Sequence, residues 1–277
     1  MRPRSSSRRF SAFHGAARRR TLHLPMIEVE NLCKLYGDFA AVTGLSFTVR
    51  PGELLGLVGP NGAGKTTTLR CLAGIIPATQ GTIRLAGHDL ARDPVAAKQE
   101  LAFFSDEPRL FDYLTVRQHL EFTARLYQVA EAPARIPGLL AELELTDKAD
   151  QLPAELSRGM KQKVQIACGL LHSPKAILFD EPLTGLDPLA IRRMKDTIRR
   201  LGREGAAIVI SSHLLHLLEE LCSHVLIVKR GVKAAYGTVA DIHAQFAQEG
   251  DANLEDVFIR IATADTPPVA PPPIAGP

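Results

Sequence analysis

The chain has 277 residues, 45% of them apolar and 23% charged, with a net charge of +3. No apolar run approaches the roughly 18 residues of a membrane-spanning helix, so any membrane role must pass through a partner. Residues 1–25 hold seven arginines and no acids, which leaves the remainder mildly acidic and argues against nucleic-acid binding through bulk basicity.

The Arg- and Ser-rich opening, "MRPRSSSRRFSAFHGAARRRTLHLP", lacks the apolar centre of a secretory signal. Met26 stands directly before the orderly pattern "IEVENL", so translation from Met26, with residues 1–25 as a basic disordered leader or a mis-assigned start, is the expectation. Strand-like runs follow: "IEVENL", "LSFTV" and "ELLGLVG", each apolar or alternating and divided by Gly or Pro. Next comes a glycine loop that opens a helix. "TIRLAG" and "LAFFS" read as two further strands. Apolar spacing in "VRQHLEFTARLY" and "IPGLLAELEL" predicts helices over most of 115–145, and another opens at "LSRGM". Strands "AILFD", "AIVIS" and "HVLIV" then alternate with "LAIRRMKDTIRRL" and "LLHLLEEL", the pattern of parallel strands covered by helices. The Pro/Ala-rich end, 263–277, has no core-forming pattern and reads as a disordered tail. Cys33, Cys71, Cys168 and Cys222 form no CxxC pair and read as buried thiols.

Residues Gly59, Pro60, Asn61, Gly62, Ala63, Gly64, Lys65 and Thr66 fit G-x-x-x-x-G-K-[ST], between a strand and a helix. Backbone N–H groups of such a loop turn inward around phosphates, and the helix start adds partial positive charge. Lys65 would reach the β- and γ-phosphates, and the Thr66 hydroxyl would bind Mg²⁺. Thr67 continues the same turn. In "AILFDEP", Asp180 and Glu181 lie just past a buried strand, where parallel sheets gather ligands. Asp180 is the expected metal ligand, and Glu181 the expected catalytic base. His213 ends "AIVISSH" and should share that rim, near the γ-phosphate. Ser157 can cap a helix beginning at Arg158 and form an anion site.

In order, the phosphate loop, "LSRGM", "LFDEP", "TGLDP" and "SSH" resemble the ATP-binding-cassette ATPases over about 26–240. The resemblance implies an α/β fold: a P-loop NTPase (RecA-like) core, an N-terminal antiparallel β subdomain and an inserted α-helical subdomain near 108–170. The ATPase domain would span 26–245 and a closing helix, matched by "LEDVFIRI", 246–262. It further implies two cassettes packed head to tail around ATP and Mg²⁺. Ser157 and Gly159, flanked by Arg158 and Met160, would contact the γ-phosphate held by the partner cassette. Asp187 in "TGLDP" would link the two sites, and Tyr36 in "KLYG" would stack on adenine.

Two segments depart from the family pattern, at three positions. Arg158 and Met160 replace the Gly and Gln of the usual LSGGQ. Asp106, in "FFSDEPRLFDYLT", stands where the family has a magnesium-binding glutamine; a carboxylate still ligates Mg²⁺ but donates no hydrogen bond. The implied function is the ATP-hydrolysing subunit of a transporter of export type. Its partners would be a separate transmembrane permease and a second cassette, homo- or heterodimeric, on the inner face of the cell membrane, with no nucleic acid. The alternative is a soluble cassette ATPase of ribosomes, DNA or iron–sulfur assembly. Translation types carry two cassettes, and DNA-repair types carry long coiled coils absent from the roughly ninety residues between loop and signature.

Overall fold

The structure, a computed structural model, describes residues 24–247 and 253–263. The expected leader and tail lie outside the described residues, apart from Leu24, Pro25 and Thr263.

Two sheets share one interior. The first is antiparallel, in the order β2–β1–β4–β5, from β1 (Ile27–Tyr36), β2 (Phe39–Val49), β4 (Gln80–Leu85) and β5 (His88–Asp89). The strand begun by "IEVENL" runs on to Tyr36, further than its alternation signals. Register shifts between Val29 and Leu35 bend it on the way.

The second sheet has the order β10–β9–β3–β8–β7–β6. Its parallel strands are β3 (Leu54–Val58), β6 (Leu101–Phe104), β7 (Ala176–Asp180), β8 (Ala207–Ser211) and β9 (His224–Lys229). Every residue of β3, β7 and β8 is buried, which explains their unbroken apolar runs. The edge strand β10 (Val232–Thr238) pairs antiparallel with β9. No sequence expectation covered it, because "VKAAYGT" carries no clean alternation.

One face of this sheet packs Leu55, Leu57, Val209 and Leu226 against the antiparallel sheet, α1 (Lys65–Leu72) and α2 (Pro94–Gln99). The opposite face packs Ile177, Phe179, Ile208 and Ile210 against α6 (Pro188–Arg203), α7 (Leu215–Leu221) and α9 (Leu254–Thr263). A third cluster, built on Leu120, Ile136, Leu140 and Val164, joins α3 (Val116–Leu126), α4 (Ala132–Glu142) and α5 (Arg158–Leu170) into a helical unit between the phosphate loop and β7. Thr115 and Gln118 begin α3 with a capping box: Gln118 N–H donates to Thr115 Oγ1 at 3.2 Å and Thr115 N–H to Gln118 Oε1 at 2.8 Å.

The closing helix differs from its expected span of 246–262. Phe246 and Ala247 end an earlier helix, α8 (Val239–Ala247), and α9 starts only at Leu254. Thr238 and Asp241 exchange hydrogen bonds of 3.2 and 3.0 Å that start α8. Lys229 Nζ then donates to the Ile261 carbonyl at 2.6 Å, which ties the last turn of α9 to the central sheet.

Candidate functional site

The phosphate loop leaves β3 and enters α1 through backbone that its glycines alone permit at two points. Gly64 has φ +102°, and a Cβ on it would lie 2.5 Å from the Ala41 carbonyl oxygen. At Gly59 a Cβ would overlap the Val228 carbonyl oxygen and approach Ala63 Cβ to 2.8 Å. The loop is therefore clamped between β2 and β9. Hydrogen bonds from Thr43 N to Gly231 O (2.8 Å) and Gly231 N to Ala63 O (3.0 Å) extend the clamp. Asn61 and Gly62 stand exposed at the loop crest, Thr67 is half-buried on α1, and Pro60 accepts the Ala63 N–H at 3.0 Å. Lys65 Nζ donates to the carbonyls of Gly59 (2.6 Å) and Pro60 (3.3 Å). Partial burial lowers its pKa, and the negative charges of Glu181 and Asp180 oppose that.

Register delivers the acidic pair to the same edge. Asp180 sits directly across from Ser211 in the β7–β8 ladder. The Ser211 hydroxyl donates to Asp180 Oδ1 at 2.6 Å, and Thr66 Oγ1 reaches the same oxygen at 3.4 Å. Asp180 is only 5% exposed. Burial raises its pKa above the ordinary value; the hydroxyl donors oppose this, and the charges of Asp106 and Glu181 add to it. A carboxylate and a hydroxyl, both hard oxygen donors, fit a magnesium ion that draws its other ligands from phosphates and water.

Glu181 takes a left-handed conformation, φ +51°. For a residue with a Cβ this costs on the order of 1–3 kcal/mol, strain that concentrates at functional sites. The turn carries its carboxylate to Thr184 and His213. Oε2 accepts from Thr184 Oγ1 (3.2 Å) and from the His213 backbone N–H (3.3 Å), and lies 2.8 Å from His213 Nδ1. The imidazole itself is exposed. Lys65, Thr66, Asp180, Glu181 and His213 thus meet at the carboxyl-terminal edge of the parallel strands.

Asp106 lies on the exposed segment after β6, close enough for its charge to act on Asp180. Its Oδ1 accepts the Glu107 N–H at 2.7 Å, and its carbonyl accepts from Arg158 Nη2 at 3.5 Å. Two of the positions that depart from the family pattern, Arg158 and Asp106, therefore touch each other. Tyr36 ends β1 half-exposed, with the Lys34 amine 5.0 Å from its ring centre.

The signature residues occupy a separate place. Ser157 caps α5, its Oγ accepting from Met160 N at 3.3 Å. Asp187 caps α6, its Oδ1 accepting from Leu189 N and Ala190 N at 2.9 Å each. Ser157, Gly159, Met160, Gly185 and Asp187 line a cleft of about 340 Å³ to which no phosphate-loop residue contributes. Within this one chain, the signature cleft is thus lined separately from the phosphate loop.

Sequence reasoning passed over two groups. Ser211 was hidden because the pairing that sets it on Asp180 is tertiary; only its place in "SSH" hinted at it. Gln162 gave no signal beyond its helical position, yet its buried amide donates to the Pro182 carbonyl, beside Glu181, at 2.8 Å. Among the described residues no group of three or more His, Cys, Asp or Glu could hold a metal unaided. No described helix is long and apolar enough to cross a membrane. Burial pushes the thiols of Cys71 and Cys168 up to about 11 and that of Cys222 up to about 12, which makes them poor nucleophiles.

Comparison with known proteins adds independent findings. The family described as ABC transporter matches residues 42–184. The ABC-type transporter ATP-binding protein EcsA of Bacillus subtilis (strain 168) is 34% identical over 244 residues, 87% of this chain and 98% of that one. The Nod factor export ATP-binding protein I of Paraburkholderia xenovorans (strain LB400) is 38% identical over 84% of this chain and 76% of its own length. A solved structure described as the ATP binding subunit of an ABC transporter superposes with a TM-score of 0.81 at 35% identity. It covers 86% of this chain and 100% of its own.

Proposed function

This chain belongs to the ABC transporter family of ATP-binding, ATP-hydrolysing cassettes, and from that premise we propose that it powers export through a separate membrane-spanning permease. The observation that carries the reading is the convergence of Lys65, Thr66, Asp180, Glu181 and His213 on one sheet edge. Export is supported by the names of relatives, which include Nod factor export and linearmycin resistance ATP-binding proteins. The cassette would lie against the inner face of the cell membrane, held there by the permease.

In this reading the backbone of Gly59, Pro60, Asn61, Gly62, Ala63 and Gly64 wraps the phosphates, with Thr67 extending the turn. The Lys65 amine exchanges its carbonyl partners for phosphate oxygens. Thr66, Asp180 and Asp106 would hold Mg²⁺, which supplies charge neutralisation at the β- and γ-phosphates. Tyr36 stacks on the adenine. Glu181 accepts a proton from water as the water oxygen bonds to the γ-phosphorus and the bond from that phosphorus to the β–γ bridging oxygen breaks, which leaves ADP and phosphate. His213, anchored to the Glu181 carboxylate, fixes that carboxylate and offers its exposed ring to the γ-phosphate.

Ser157, Arg158, Gly159 and Met160 would complete the site of a second cassette. That arrangement fits a signature whose cleft is apart from its own phosphate loop. Asp187, at the start of α6 in that cleft, would pass the state of one site to the other. The experiment is affinity purification of the full chain from detergent-solubilised membranes. A multispanning membrane protein that co-elutes and raises ATP hydrolysis supports the reading. Elution with ribosomes or DNA and no membrane protein contradicts it.

A further inference from the structure

Helix α5 presents three polar side chains at spacings of four and three residues, so Arg158, Gln162 and Gln165 share one face. Each reaches a different point of the catalytic edge. Arg158 Nη2 reaches the Asp106 carbonyl at 3.5 Å, and its guanidinium borders Gly185, where an added Cβ would lie 3.6 Å from Nη1. Gln165 Nε2 donates to Ser105 Oγ at 3.2 Å, and that hydroxyl donates to the Glu107 carbonyl at 2.7 Å. Between them, Gln162 Nε2 donates to the Pro182 carbonyl at 2.8 Å, with both residues buried.

The middle contact is the one with a mechanical consequence. Pro182 is bonded to Glu181, whose left-handed backbone is strained and needs outside support. Glu181 N is held from one side by the Ser211 carbonyl (3.1 Å) and hydroxyl (3.2 Å). On the other side, the Glu181 carbonyl accepts from Thr184 N at 3.2 Å, and Gln162 holds the carbonyl of the next residue, Pro182. Pro182 has no N–H of its own, so its carbonyl is the group through which the neighbouring helix can grip this turn. The gripping helix is the one that Ser157 caps.

We propose that Gln162 is a positioning residue for Glu181, carrying a shift of α5 at the signature to the catalytic carboxylate through the Pro182 carbonyl. This rests on the reading of Glu181 as the base and of Ser157 as a contact to the partner's nucleotide. A displacement of α5 when Ser157 engages that nucleotide then acts directly on this chain's own Glu181. The route lies inside one chain and is distinct from Asp187.

The test is a double-mutant cycle on the full chain, read by ATP hydrolysis and nucleotide binding. Gln162→Met keeps the length and removes the donor. Gln162→Glu keeps the shape and sets an acceptor against a carbonyl. Each should lower kcat about tenfold and leave the Kd for ATP within about twofold. In a Glu181→Gln background, measured by single turnover with enzyme in excess, Gln162→Met should cost less than twofold, because its effect passes through the carboxylate already removed. An unchanged kcat in both single variants overturns the proposal. So does an equal loss in both backgrounds, which marks a general packing role, and so does a loss that follows the melting temperature alone. If Glu181→Gln by itself hydrolyses ATP at the wild-type rate, the base assignment has failed, whatever Gln162 does.

Discussion

Replacing Asp180 with asparagine should make the nucleotide-free protein more stable while it destroys catalysis. The carboxylate is 5% exposed and accepts one short hydrogen bond from Ser211 and one long one from Thr66. Two donors repay only part of the cost of removing a full charge from water, and Asp106 and Glu181 add repulsion. Attraction to Lys65 works the other way but comes from an amine that is itself half-buried and bonded to two carbonyls. Asparagine fills the same volume, keeps an oxygen for the Ser211 hydroxyl and buries no charge. The gain should be on the order of 1 kcal/mol, or about 2–4 °C in melting temperature for a chain of this size. The dependence on pH has a definite sign. A carboxyl whose folded pKa lies above its ordinary 3.8 contributes stability that is present below that value and is lost as the pH rises through the folded one. The variant has no such loss, so its advantage should be full at pH 8 and shrink as the pH falls toward 4. Thermal unfolding without nucleotide, followed from pH 4 to pH 8, measures it. A variant that melts below wild type at pH 8 would refute the reasoning, since Lys65 and the hydroxyls would then outweigh desolvation. Magnesium-dependent ATP hydrolysis should be lost in the same variant.

Two further substitutions probe the edges of the site. Asp106→Gln removes a negative charge that acts on Asp180 and adds a donor; it should lower the Mg²⁺ concentration needed for half-maximal hydrolysis, and an unchanged requirement would count against Asp106 as a ligand. Gly59→Ala places a methyl on the Val228 carbonyl oxygen and 2.8 Å from Ala63 Cβ. The overlap should cost about 1–3 kcal/mol and weaken ATP binding at least tenfold by calorimetry, whereas near-wild-type affinity would show that β9 does not clamp the loop.

The parts of this molecule that read directly from its sequence are those with local causes. The phosphate loop declares itself through glycines at fixed offsets, and β3, β7 and β8 through apolar runs with no polar face. Ser157 at the start of α5 is legible because a cap needs only its own next three residues. The hidden parts are tertiary. Ser211 reaches Asp180 because two strands pair in one register out of several. Gln162 meets Pro182 only after α5 has packed across the sheet. The meeting of Arg158 with Asp106 joins residues 52 positions apart, and no periodicity announces it. The start of α8 was also missed, because the Thr238–Asp241 cap looks like any surface pair until the helix forms.

The central claim is that one chain carries half of each of two ATP sites, with Glu181 as the base that ends the closed state. Glu181→Gln tests it most directly. The side chain keeps its size and can still meet Thr184 and His213, but it cannot take a proton from water, so hydrolysis should fall by roughly 10²–10⁴-fold. Light scattering coupled to size-exclusion chromatography, with ATP and Mg²⁺ present, should show the variant as a stable dimer, while the wild type returns to monomer as ATP is consumed. A variant that stays monomeric while binding ATP with wild-type affinity, or that hydrolyses ATP at the wild-type rate, would contradict the account.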